Sequence, residues 1–185
     1  MKKILASIVC TAFLLSCSNS DRQKETHLNK DTTSVTIIKP APAISDTSYF
    51  KFDKDSVTVL PFEIEVILNP KAKKKIIDSK ETIMIDVSLT GIPKDTTLNS
   101  EDGQFYVASS EKEITYGHVA RFDHIKFSRK VFDQLTNKDL YVNAFVFSGR
   151  KSSPDNLLDC GIIADSVSNV VNKKLTITGK LIGDH

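Results

Sequence analysis

Apolar and polar side chains alternate at period two along Phe62-Glu63-Ile64-Glu65-Val66-Ile67-Leu68, and again along Ile83-Met84-Ile85-Asp86-Val87-Ser88-Leu89. A strand turns successive side chains to opposite faces, so this pattern specifies half-buried β-strands and excludes amphipathic helices. Phe62, Ile64, Val66 and Leu68 form one inward row; Ile83, Ile85, Val87 and Leu89 form another. Shorter runs of the same kind are Val57–Leu60, Phe105–Val107, Val119–Phe127, Leu140–Phe147, Leu157–Ile163 and Leu175–Ile182. Gly91 and Pro93 end the second long run, and Asp102-Gly103 is a hairpin-turn dipeptide. In Val119–Phe127 the phase breaks: Ala120 and Phe122 share one parity, Ile125 and Phe127 the other. A bulge near Asp123-His124 would restore a single face.

Two short helices interrupt the strands. Asn69-Pro70 supplies an N-cap and a first-turn proline ahead of Lys71–Ile77, with Ala72 and Ile76 one turn apart. Ser128 caps Arg129–Leu135, in which Val131, Phe132 and Leu135 share a face. Each helix stands between two strands, as a crossover at the rim of a sandwich does. The expected fold is mainly β: a two-sheet antiparallel β-sandwich with two short helices, spanning 49–185. The strand, short helix, strand order looks like the transthyretin-like and immunoglobulin-like sandwiches, a likeness of architecture with no diagnostic motif.

The first 16 residues read as an export signal. Lys2 and Lys3 precede the apolar run Ile4–Leu15, which is too short to span a bilayer comfortably. Leu14-Leu15-Ser16-Cys17 resembles the lipobox of bacterial lipoproteins: an aliphatic residue, a tolerant position, a small residue and Cys. That resemblance implies cleavage before Cys17 and a diacylglycerol on its thiol. Two or three acyl chains anchor a protein stably, at about 0.8 kcal/mol per buried CH₂. By the same resemblance, Ser rather than Asp at position 18 implies the outer membrane; a domain facing the periplasm is expected over one on the cell surface. Residues 17–48 read as the lipidated cysteine and a polar tether, extended around Pro40-Ala41-Pro42. Val35–Ile38 is the one β-like run in it, an alternative edge strand for the domain.

Forty per cent hydrophobic residues exclude a disordered chain, and the single short apolar stretch excludes a multi-span membrane protein. Removing Lys2 and Lys3 takes Lys+Arg from 25 to 23, against 23 Asp+Glu, so no nucleic-acid footprint is expected. With Cys10 in the signal and Cys17 lipidated, Cys160 is left without a disulfide partner. It reads as a small buried hydrophobe in a strand.

No metal site, cofactor or catalytic signature is expected. His118 and His124 match no zinc spacing, and no Gly-x-Ser-x-Gly elbow or nucleotide-binding glycine loop is present. Asn99–Gly103 lacks the acidic alternation of a calcium loop. Two clusters are candidates for contact with a partner or an anion. Lys71, Lys73, Lys74 and Lys75 crowd the first helix, a solvated face or a surface for anionic headgroups. Ser148–Asn156 combines Gly149, Arg150, Lys151 and Ser152 in one loop.

These features describe a non-catalytic, lipid-anchored docking module whose partner is another envelope protein. The lipobox with a helix-interrupted sandwich resembles the transthyretin-like lipoprotein that holds a type VI secretion membrane complex to the outer membrane, which implies a structural role in such an assembly. The alternatives are a module for a small ligand or glycan, and an enzyme inhibitor acting through Ser148–Asn156. The glycan alternative is disfavoured by the absence of Trp and by strand positions that should bury several of Tyr49, Tyr106, Tyr116 and Tyr141.

Overall fold

The computed structural model describes residues 46–184 apart from residue 102. The signal at 1–16, Cys17 and the tether as far as residue 45, with Val35–Ile38, lie outside the described residues. The rest is mainly β. In chain order the elements are β1 Phe50–Phe52, β2 Ser56–Val59, β3 Phe62–Leu68, α1 Pro70–Asp78, β4 Ile83–Gly91, β5 Phe105–Ile114, β6 Ala120–Phe122, β7 Lys126–Ser128, α2 Arg129–Gln134, β8 Tyr141–Ser148, β9 Leu158–Cys160, β10 Ile163–Ser166, α3 Val167–Val170 and β11 Lys174–Leu181.

Two four-stranded sheets carry the sandwich. The first runs β10-β8-β4-β5 and the second β6-β3-β11-β9. Their inward rows fill one core. Ile83, Ile85, Val87 and Leu89 of β4 and Val142, Ala144 and Val146 of β8 come from the first sheet; Phe62, Ile64, Val66 and Leu68 of β3 and Ile177 of β11 come from the second. Both long inward rows lie on the faces that their alternation predicts.

Three features depart from the expected two antiparallel sheets with two helices. A third sheet, β1-β2-β7, stands beside the others. The β3–β11 pair is parallel, with Glu63 opposite Lys174 and Leu68 opposite Gly179. A third helix, α3, buries Val167 and Val170 in the core.

The phase break in Val119–Phe127 has a different cause from the bulge expected there. The segment is two strands in two sheets. β6 pairs with β3, Phe62 opposite Phe122, and β7 pairs with β2, Thr58 opposite Lys126. The register is the same on both sides, so no extra residue is inserted. Pro61 has no N–H for the ladder, and both paired segments, β2 to β3 and β6 to β7, change sheet there. Buried parity flips on both at once: Val57 and Val59 give way to Phe62 and Ile64, and Phe122 to Ile125. Leu157–Ile163 divides in the same way. Its first half, β9, pairs with β11, and its second half pairs with β8 through β10.

The helices form where their caps predict. Asn69 Oδ1 accepts from the Ala72 amide at 2.8 Å, and α1 carries the chain from β3 in the second sheet to β4 in the first. Ser128 Oγ accepts from the Val131 amide at 3.2 Å. Phe132 of α2 is then driven into a ring cluster, 5.2 Å from Phe50 and 5.4 Å from Phe52 between centroids. Among the described residues no helix is long and apolar enough to cross a membrane.

Candidate functional site

The Ser148–Asn156 loop is held from within. Gly149 donates its amide to the Thr82 carbonyl at 2.8 Å, and a Cβ there would lie 1.9 Å from Thr82 Oγ1, so only glycine permits this approach. Beyond it, the chain folds around Glu81. The Glu81 carboxylate accepts from the Lys151 amide at 2.9 Å, the Ser152 amide at 2.7 Å and Ser152 Oγ at 2.6 Å. It accepts a fourth bond from the Thr82 amide at 3.0 Å. Glu81 is only 3% exposed. Burial alone would push its pKa up, but the Ser152 hydroxyl and the three amides outweigh that and hold it at about 2.

The loop, expected to contact an anion or a partner's carboxylate, is a cradle for a carboxylate that is the chain's own. Ser152 and the Lys151 amide are engaged with Glu81, and Lys151 Nζ pairs with Glu113 at 3.0 Å. Arg150 sits at the exposed tip with a left-handed backbone (φ 60°) and has no ion pair among the described residues. Glu81 carries no signal in the sequence. It lies in a polar connection between α1 and β4, and only folding brings it to residues 151 and 152.

The basic helix is also largely answered internally. Lys71 Nζ pairs with Asp184 at 2.5 Å and holds that carboxyl below its usual range. Lys74 pairs with Asp78 one turn on, and Lys73 lies over the Tyr116 ring at 5.6 Å. Lys75 alone of the four stays exposed without an ion pair or a ring among the described residues.

The histidines and Cys160 sit apart. His118 Nδ1 lies 2.7 Å from Thr115 Oγ1, and His124 lies 3.6 Å from Asp123. Among the described residues no three His, Cys, Asp or Glu side chains converge as metal ligands would. Burial, then the Asp159 charge, pushes the Cys160 thiol up to about 11, so it is a poor nucleophile at neutral pH. A cleft of about 290 Å³ at the start of β3 and β11 is bridged by the Arg121–Glu63 ion pair at 3.0 Å.

The most distinctive surface is the outer face of the first sheet. Tyr141 and Tyr106 are not buried as expected: they are 52% and 53% exposed, and Phe145 is 46% exposed. Register places all three together. Tyr141 of β8 stands opposite Thr90 of β4, and Thr90 opposite Tyr106 of β5. Two strand spacings separate the tyrosines by about 10 Å, and four residues along β8 separate Tyr141 from Phe145 by about 13 Å. Thr90 is buried between the tyrosines and accepts from Asn143 Nδ2 at 3.2 Å. The adjoining row is Asn143, Ser88 and Ser109; the next is Phe145, Asp86 and Glu111. The face is therefore a shelf of rings around neutral hydrogen-bonding groups, with carboxylates along one side.

No family model matches this chain, and neither a curated protein nor a solved structure matches it.

Proposed function

We propose that the protein is a non-catalytic, lipid-anchored docking module of a bacterial envelope, held by Cys17 and presenting the outer face of its first sheet to another envelope protein. The observation that carries the reading is the grouping of Tyr141, Tyr106 and Phe145, each about half exposed, on one sheet face. Aromatic side chains left in water in a group are characteristic of recognition surfaces, since each brings large apolar area at little entropy cost. The lipobox supports anchoring, and residues 17–48 supply a tether of about 30 residues, able to reach on the order of 100 Å when extended. Ser18 supports outer-membrane placement, with the domain taken to face the periplasm, and the near-neutral mature charge gives no reason to invoke nucleic acid. The reading requires no cofactor.

A second reading has one observation in its favour. Tyr106 and Tyr141, two of the four tyrosines, are exposed beside Asn143, Ser88 and Ser109, which is also how a glycan shelf is built. One experiment separates the two. A photo-crosslinking residue replaces Tyr141 in the full-length protein in its own membranes, with Ile67 on the outer side of β3 as the control site. A discrete protein adduct at 141, absent at 67 and lost with Cys17→Ala, is the expected result. A saccharide adduct at 141 would replace docking with glycan binding.

A further inference from the structure

The strand carboxylates of this protein are almost all answered. Glu63 pairs with Arg121 at 3.0 Å, Glu65 with Lys174 at 2.9 Å, Glu113 with Lys151 at 3.0 Å, and Asp159 with Lys180 at 3.9 Å. Asp165 accepts from the Asn169 side-chain amide at 2.9 Å. Asp86 and Glu111 are the exception among the described residues. They stand directly opposite each other on β4 and β5, and neither has an ion pair. Like charges facing each other across an antiparallel ladder destabilise it. Asp86 also has the half-exposed Phe145 ring as its other cross-strand neighbour.

We propose that this face docks a cationic, extended segment of a partner protein, with an arginine or lysine head between Asp86 and Glu111 and its stem across Phe145. The proposal rests on the docking reading above and adds the chemistry of the partner. The charge complementarity is local. The outward positions of β8, β4 and β5 hold Tyr141, Asn143, Phe145, Phe147, Met84, Asp86, Ser88, Thr90, Tyr106, Ser109, Glu111 and Glu113, without one cation. Lys151 reaches this side from its loop and is already committed to Glu113. A guanidinium both pairs with carboxylates and stacks on a ring, so one partner side chain would relieve the Asp86–Glu111 repulsion and cover Phe145. The neighbouring partner residues would then run over the Tyr141, Thr90 and Tyr106 row.

The test uses the full-length protein in lipid nanodiscs and three probes: a decapeptide with arginine at alternate positions, the same peptide with citrulline for arginine, and a neutral oligosaccharide. The arginine peptide is expected to bind about tenfold or more tighter than the citrulline peptide, and progressively weaker as salt rises. Asp86→Asn with Glu111→Gln is expected to abolish that preference while the melting temperature holds or rises, because the repulsion is gone. Equal affinity for the two peptides, or an undiminished preference in the double variant, overturns the proposal. So does oligosaccharide binding in preference to both peptides. Crosslinking from position 141 in native membranes separates the two levels. A protein adduct retained at full yield in the double variant overturns the cationic partner and keeps docking; no protein adduct in either background overturns docking itself.

Discussion

Glu81 is the residue on which the Ser148–Asn156 loop depends. Glu81→Ala leaves three amides and a hydroxyl without their acceptor, a loss of about 3 kcal/mol that urea unfolding would measure. Its pH dependence has a definite sign. The carboxyl titrates at about 2 in the fold against an ordinary 4.5. Its contribution is therefore complete above 4.5 and is lost as pH falls toward 2, to an extent on the order of 3 kcal/mol. The stability difference between wild type and Glu81→Gln should shrink over that window, and a difference that stays constant from pH 6 to 2 would refute the cradle. No periodicity or motif marks Glu81. The loop around it was legible as an anion holder, but the anion's identity depends on an approach between residues 70 positions apart.

At the scale of elements, caps and alternation were legible because they depend on neighbours in sequence. Asn69, Pro70 and Ser128 start helices where their chemistry requires it. Asn69→Ala removes the bond to the Ala72 amide and should cost about 1 kcal/mol, seen as a lower thermal midpoint with the β-sheet spectrum retained. The two segments that divide between sheets, Val119–Phe127 and Leu157–Ile163, share one physical cause. Each is a single run of strand-forming residues that serves two sheets. Nothing local distinguishes a bulge from a change of sheet, because the deciding partner is elsewhere: Pro61 for the first, and β11 together with β8 for the second. Gly179 records such a meeting. A Cβ there would lie 2.4 Å from Cys160 Sγ and 3.0 Å from Leu68 Cδ2. Gly179→Ala should destabilise the second sheet by about 1–3 kcal/mol, measured by chemical denaturation.

For the whole molecule, the two faces of the first sheet have opposite work to do, and substitutions should separate them. Leu89 lies on the inner face and is fully buried, so Leu89→Ala should cost about 2–5 kcal/mol. Tyr141→Ser and Phe145→Ser remove rings that water already reaches. They should leave the melting temperature nearly unchanged while reducing the amount of partner that co-purifies with the full-length protein from its membranes. A large loss of stability in both would mean that the rings are structural, and the proposed working surface would have to be sought elsewhere. The sequence by itself determined that the chain is mainly β, which parity of its two longest strands faces inward and where two helices begin. It also carries the lipobox-like Leu14–Cys17 pattern on which the anchoring proposal rests. Those are consequences of period, capping chemistry and short-range order. Only the tertiary structure decided that there are three sheets, that β3 and β11 run parallel, that Glu81 fills the loop's cradle, and that Tyr106, Tyr141 and Phe145 stand together in solvent. Each of these depends on which distant strand lies alongside, and alternation specifies the two sides of a strand without saying what, if anything, covers its second face.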